Sequence, residues 1–205
     1  MQGLGISFRP EFLSFWDDIY SVVDCFEFIP DEIVYNERLF RDTFEALGDK
    51  PRMAHSTALS LGSIEKLEGA FLDSLVNVTK QMKANALSDH MSFRRAHGIE
   101  IENFCLALDD AVSLEVLKGN INYYEEKFGM KILLENITVN GLMNKNDFMI
   151  RETGIFRYHS NNGGEILLDV NNFYLNAKNF SCNLFRYINE FPLDAVRGIH
   201  IAGHE

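Results

Sequence analysis

Residues Ile166-Leu167-Leu168-Asp169-Val170-Asn171-Asn172 (ILLDVNN) place a carboxylate directly after three apolar residues and an asparagine three positions further on. A short run that is apolar without alternation reads as a parallel strand covered on both faces. An acid ending such a run must be paired or metal-bound, because an isolated buried charge is too costly. Four other apolar runs end the same way. They are MAHS with His55, LSDH with His90, ILLEN with Glu135 and IHIAGH with His200. From His55 through His90, Glu135 and Asp169 to His200 the intervals are 35, 45, 34 and 31 residues, close to one strand-plus-helix unit. Polar side chains at successive strand ends converge on one site at the mouth of a parallel barrel.

Working outward, runs at 3–8, 22–29, 52–59, 86–93, 131–137, 165–170 and 196–202 read as strands. Between them lie helix-like segments, clearest at 63–83, 113–128 and 179–189. Ser63 with Glu65, and Ser113 with Glu115, place a capping hydroxyl and an acidic first turn at two helix starts. Gly129 is a helix stop. Alternating strands and helices predict an α/β fold, and a TIM-type (β/α) barrel is preferred to an open doubly wound sheet. No GxGxxG follows the first strand, so a dinucleotide fold has no support. A complete eight-unit barrel takes about 250 residues. The expectation is therefore one domain over residues 1–205, an incomplete barrel of seven strands truncated at its C-terminal side, with the eighth unit missing. The stretch 94–110 lacks clear periodicity and is expected to be a loop over the site-bearing face.

Composition narrows the function. With 46% hydrophobic residues the chain can bury one substantial core. Nineteen basic against thirty acidic residues give a formal charge of −11 without a Lys/Arg cluster, which argues against nucleic-acid binding. No apolar run approaches the roughly 20 residues of a membrane span, and the first residues do not read as a signal peptide. No membrane association and a cytoplasmic location are expected. Cys25, Cys105 and Cys182 form no CxxC pair. Cys25 and Cys182 are expected to be buried free thiols, so a disulfide framework or thiolate metal site is disfavoured.

Imidazole, carboxylate and carboxamide donors without thiolate suit iron, zinc or manganese, and a carboxylate can bridge two ions. Glu135 is the best bridging candidate, since the residues before it are apolar. A lone histidine at a strand end is more often structural than ligating, and a lone acid is commonly a cap or ion-pair partner. Five such accidents in register with the βα period are a different matter. Asp89, Asn136 and Asn171 flank these residues and either orient them or touch substrate. His204 shares a strand face with His200. Glu27 and Arg9 are expected to pair with each other across the barrel mouth. His97 and His159 read as surface residues, and the aromatics of 120–128 as core.

The motifs GLGISFRPEF (3–12), VDCFEFIPDE (23–32), AHSTALSLGS (54–63), LSDHMSF (87–93), ILLENIT (132–138), LLDVNNFYLNAKN (167–179) and IHIAGH (199–204) together resemble the multinuclear non-haem iron-dependent oxidative enzyme family. The likeness runs along essentially the whole chain. It implies a barrel related to the xylose isomerase-like superfamily, holding two or three iron ions in mixed Fe2+/Fe3+ states. His55, His90, Glu135, Asp169, Asn172 and His200 stand at the family's ligand positions. The resemblance further implies O2-dependent modification of cysteine, or another residue, in a ribosomally made precursor peptide delivered by a small partner protein. Asp89 stands where the family more often has Glu, and the family's later Asp-x-His pair and Glu find no counterpart up to Glu205. Two alternatives stay open. One is a zinc- or manganese-dependent hydrolase or isomerase of the same superfamily, although its abasic-site nucleases usually carry His where this chain has Asn172. The other is a degenerate, non-catalytic peptide-binding module.

Overall fold

The computed structural model describes residues 3–139 and 145–202. Seven strands run parallel in one sheet: β1 (Gly5–Ser7), β2 (Cys25–Phe28), β3 (Arg52–His55), β4 (Ala86–His90), and, after an antiparallel hairpin of β5 (Ser92–Ala96) and β6 (Ile99–Leu106), β7 (Ile132–Glu135), β8 (Glu165–Asp169) and β9 (Val196–His200). The sheet order is β1-β2-β3-β4-β7-β8-β9, so neighbours in sequence are neighbours in space once the hairpin is set aside. Each of the seven strands of this sheet lies within a run read from the sequence. Between them run α1 (Trp16–Val22), α2 (Pro30–Ile33), α3 (Glu37–Leu47), α4 (Ala70–Gln81), α5 (Ala111–Phe128), α6 (Lys145–Asn161), α7 (Val170–Asn179) and α8 (Leu184–Glu190).

The sheet is curled. From β2 to β9 is five strand steps, which in a flat sheet at about 4.8 Å spacing would separate them by roughly 24 Å. Instead the Glu27 carboxylate of β2 lies 2.7 Å from the His200 ring of β9. The fold is an incomplete (β/α) barrel. β7 is buried at every position, because its outward side chains meet helices and its inward ones fill the barrel. Leu72, Leu75 and Val78 of α4 and Leu117, Ile121, Tyr124 and Phe128 of α5 supply part of the buried core. The Tyr124 hydroxyl accepts from Leu67 N (2.7 Å) and donates to Leu59 O (3.2 Å), tying α5 to the loop after β3. Among the described residues no helix is long and apolar enough to cross a membrane.

The structure corrects several local expectations. The 94–110 stretch is mostly strand, not loop: His97 and Gly98, both with positive φ (53° and 72°), make the two-residue turn of a hairpin. Phe93 pairs with Cys105 and Arg95 with Glu100, so Arg94 alone faces residues 101–104, a bulge that breaks the alternation in the sequence. Helix α4 starts at Ala70, not near Ser63. Ser63 instead accepts from Arg95 N and shares a hydrogen bond with Ser60, fastening the loop after β3 to the hairpin. Asp110 rather than Ser113 caps α5, accepting from both Val112 N and Ser113 N at 3.1 Å. The segment read as one helix over 179–189 is the end of α7 followed by α8, which Asn183 caps by accepting from Arg186 N. Gly129 does end α5, in the left-handed conformation. Cys25 and Cys182 are half-buried rather than buried. Cys25 shares the inward face of β2 with Glu27, and both are half-buried.

His159 is buried, not a surface residue. It lies three and four positions after Phe156 and Ile155, on the core face of α6, and its Nε2 is 3.0 Å from Glu165 O. A Cβ at Gly164 would overlap the imidazole. The substitution Gly164→Ala is therefore expected to cost about 1–3 kcal/mol through overpacking. Thermal denaturation of the variant beside Gly119→Ala, at a glycine with nothing within 4 Å of such a Cβ, checks this. Equal losses for the two would contradict it.

Candidate metal centre

Parallel pairing brings the strand ends to one rim. The register aligns His55 with Ser88, His90 with Glu135, Glu135 with Leu167, and Asp169 with His200. Glu135, 2% exposed, is the centre. Its Oε2 lies 3.3 Å from His90 Nε2 and 3.5 Å from His55 Nε2, and its Oε1 lies 3.1 Å from His200 Nδ1. Two groups share it: His55, His90 and Glu135, and Glu135, Asp169 and His200. Within each group the donor atoms lie within 4.8 Å of one another. These five sequence-derived candidates are brought together.

Neighbouring groups aim the rings. Ser88 Oγ is 2.8 Å from His55 Nδ1, which turns Nε2 toward Glu135. Asp89 lies behind His90, with Oδ1 3.6 Å from Nδ1, while its Oδ2 accepts from Leu59 N at 2.9 Å. Imidazoles that ligate metals are held from behind by carboxylates or hydroxyls in this way. Asn172 stands at the rim with its carboxamide engaged: Oδ1 accepts from Thr138 Oγ1 (2.6 Å) and Nδ2 donates to Asn136 O (3.0 Å). Asn136 is fully buried and hydrogen-bonds the Asp169 backbone. Asn171 is the second residue of α7, and its Oδ1 is buried without a hydrogen-bond partner among the described residues. His204 lies outside the described residues.

Reasoning from sequence misassigned Glu27. It does not pair with Arg9, which meets Glu32 at the surface (3.8 Å). Phe26 and Phe28, each 1% exposed, face the helices, so alternation turns Glu27 into the barrel, where its Oε2 meets His200 Nε2. That signal was present in the CFEF run. Phe104 had no such signal. The bulge in β6 lays its ring against His90 (centroids 4.2 Å apart, 22° between planes), and the Arg94 guanidinium lies 5.2 Å over it.

The charges form a coupled set. Burial would raise the Glu135 and Glu27 carboxyls, but the hydrogen bonds from His200 and the nearby imidazoles hold both below the usual range. Burial would lower His200, yet its bonds to Glu135 and Glu27 push it up to about 10. Burial holds His55 low, against the pull of Glu135 and Glu27. His90 is raised, since Asp89 and Glu135 outweigh its burial. Asp169 is raised by burial and by the Glu135 charge, with the Asn172 N–H opposing. Two carboxylates with oxygens within 4.8 Å repel by about 3 kcal/mol at an effective dielectric of about 20. A divalent ion between them would turn that repulsion into attraction.

The residues fit a metal on a separate ground. Glu135 Oε2 is buried and, among the described residues, has no hydrogen-bond partner, although two imidazole nitrogens lie within 3.5 Å of it. A purely structural cluster would have satisfied that oxygen. Two nitrogens and one oxygen converging without sulfur suit a borderline first-row ion.

The His200 shift sets a pH dependence for chelator-treated protein. A raised pKa means its stabilising contribution is complete below about pH 6.5, declines above that, and is gone once pH passes about 10. The lowered carboxyls act in the opposite sense, contributing above about pH 4.5 and losing that contribution in acid. Thermal midpoints in EDTA should fall between pH 6.5 and 10, and His200→Gln should flatten that slope. An unchanged slope in the variant would show that the Glu27–His200–Glu135 chain is not its source.

The family model described as RiPP precursor modification enzyme MbnB/TglH/ChrH matches residues 3–205. A UPF0276 protein of Acinetobacter baylyi is 24% identical over 215 residues, covering 99% of this chain and 70% of that protein. One of Rhizobium meliloti is 29% identical over 157 residues, covering 76% and 50%. Among solved structures, the chain resembles the 3-keto-D-glucoside 4-epimerase of E. coli (TM-score 0.58, 16% identity, covering 99% of this chain and 80% of that one). It also resembles endonuclease IV of Thermus thermophilus (TM-score 0.52, 14% identity, 97% and 76%). At these identities the structural likeness is one of fold alone. The family match spans every described residue: the chain belongs to the MbnB/TglH/ChrH family of RiPP precursor modification enzymes.

Proposed function

We propose that this chain is a non-haem iron enzyme that uses O2 to oxidise a cysteine, or another residue, of a ribosomally made precursor peptide. The carrying observation is that one buried carboxylate, Glu135, belongs to two donor groups at once. A shared carboxylate is the means by which two ions are held side by side. His55, His90 and Glu135 would hold one, and Glu135, Asp169 and His200 the other. Asn172 supports the second group from the rim. Iron bound there supplies one-electron chemistry toward O2 and a seat for a substrate thiolate.

The chain's own residues prepare that site. Ser88 and Asp89 keep His55 and His90 turned inward, so little reorganisation is needed on loading. Glu27 engages His200 Nε2, which would leave Nδ1 as the atom to hold an ion in place of its bond to Glu135. Phe104 and Arg94 wall the His90 side against water. The acidic chain suits a peptide rather than a nucleic acid. The family's printed role as a modifier of precursors supports a peptide substrate, and we propose that a small partner protein presents it.

Anaerobic purification followed by metal analysis and oxygen uptake tests the reading. Two or more irons per chain are expected, with O2 consumed only when a cysteine-bearing precursor peptide is added. Glu135→Ala should weaken both sites by at least about 10-fold, whereas His55→Ala should spare the one built on His200. Iron below one equivalent in the wild type would sink the proposal. Zinc or manganese displacing iron, with turnover of a sugar or an abasic duplex, would favour hydrolase or isomerase chemistry instead. Peptide binding without O2 uptake would favour a non-catalytic module.

A further inference from the structure

Helix α7 presents Asn172, Asn176 and Asn179, spaced by four and three residues and therefore one stripe of the helix. All three reach the segment that follows β7. Asn172 Nδ2 donates to Asn136 O, Asn176 Nδ2 to Ile137 O (2.7 Å) and Asn179 Nδ2 to Val139 O (3.2 Å), while Asn176 Oδ1 accepts from Val139 N (2.8 Å). From the other side, the Asn136 carboxamide pairs with both backbone groups of Asp169: Oδ1 accepts from Asp169 N (2.8 Å) and Nδ2 donates to Asp169 O (2.9 Å). The ladder between β7 and β8 ends with Glu135 opposite Leu167. The Asn136 side chain extends it by one pair, a carboxamide standing in for a peptide. The loop closes through Asn172, whose N–H bonds Asp169 Oδ1 (2.6 Å) and whose Oδ1 accepts from Thr138.

The orientation of each amide is forced. Asn136 O and Asp169 O only accept, and Asp169 N only donates, so the Asn172 Nδ2 must face Asn136 and its oxygen must face the Thr138 hydroxyl. Both ends of the Asn172 carboxamide thus bond to the frame. The frame joins the residue after Glu135 to Asp169, two acids that repel each other.

We infer that Asn136, Asn172 and Thr138 form a carboxamide clamp that sets the spacing of Glu135 and Asp169 for the second ion, with Asn172 acting through Asp169. They are positioning residues. The inference rests on the proposed two-ion centre and adds a division within it. The His55–His90–Glu135 position is supported by Ser88 and Asp89, whereas the position on Asp169 and His200 depends on the clamp.

Titration calorimetry of the chelator-stripped, full-length chain with Mn2+ alone tests this without reference to turnover. The wild type should take up two ions. Asn136→Ala should weaken one by about 10- to 100-fold, the range for residues that support metal ligands, and leave the other within about threefold. Because Asn136 is fully buried, Thr138→Val is the milder companion. It removes only the hydroxyl that holds Asn172, and it should weaken the same ion. Adding Asn172→Ala to it should cost no more than Asn172→Ala alone, as expected of residues acting through one frame. Direct ligation by Asn172 alone predicts a costly Asn172→Ala beside a harmless Thr138→Val, and a harmless Thr138→Val would overturn the inference. So would a wild type that binds one ion, or a folded Asn136→Ala that binds both as the wild type does. A wild type that binds no Mn2+ and no Fe2+ would instead remove the metal centre itself.

Discussion

A carboxylate at the end of an entirely apolar strand is the constraint on which this rim depends. Glu135 follows Ile132, Leu133 and Leu134, and nothing in its own strand can satisfy it. Left alone in that environment it would take up a proton or force the strand open. Three imidazoles from β3, β4 and β9 prevent this, and they can do so only because the sheet curls enough to bring β9 back toward β2. The polar rim and the curvature of the sheet therefore support one another. Flattening the sheet would strand Glu135, and removing Glu135 would leave three imidazoles, two of them buried, beside one another.

The rest of the molecule holds this geometry from outside. The hairpin between β4 and β7 is anchored through Ser60, Ser63 and Gly62 to the loop after β3, so the two loops beside His55 and His90 behave as one piece. Its Phe104 ring is pinned between His90 and Arg94, and Arg94 also donates to Thr57 O (2.6 Å). On the opposite side the asparagines of α7 bond to the backbone after β7. A rim built from loops is thereby kept nearly as rigid as the strands beneath it.

The strand ends were legible because two physical rules leave a mark on the chain. Strands covered on both faces read as continuous apolar runs, and a polar residue closing such a run stands out. The regular spacing then identified a parallel barrel. The single irregular interval, 45 residues between His90 and Glu135, is where the 92–106 hairpin is inserted. The hairpin stayed hidden because its bulge sets Arg94 against four residues and so destroys the period-two pattern. The helix starts were misread because Ser63 and Ser113 resemble caps locally, while Gly69 and Asp110 occupy the cap positions.

Glu27 marks the boundary between what the chain spells out and what folding adds. Alternation in CFEF already turns it inward, yet nothing in the sequence names its partner, 173 residues away. The same holds for Asn136, whose role depends on Asp169, and for Phe104, whose role depends on His90. Burial and periodicity are local properties of a strand, so the order of strands, their shared rim and the donors at it can be read along the chain. Which donors come within reach of one another, which acid meets which histidine, and which backbone groups an asparagine bonds all depend on distances between strands. Those distances exist only once the sheet has curled.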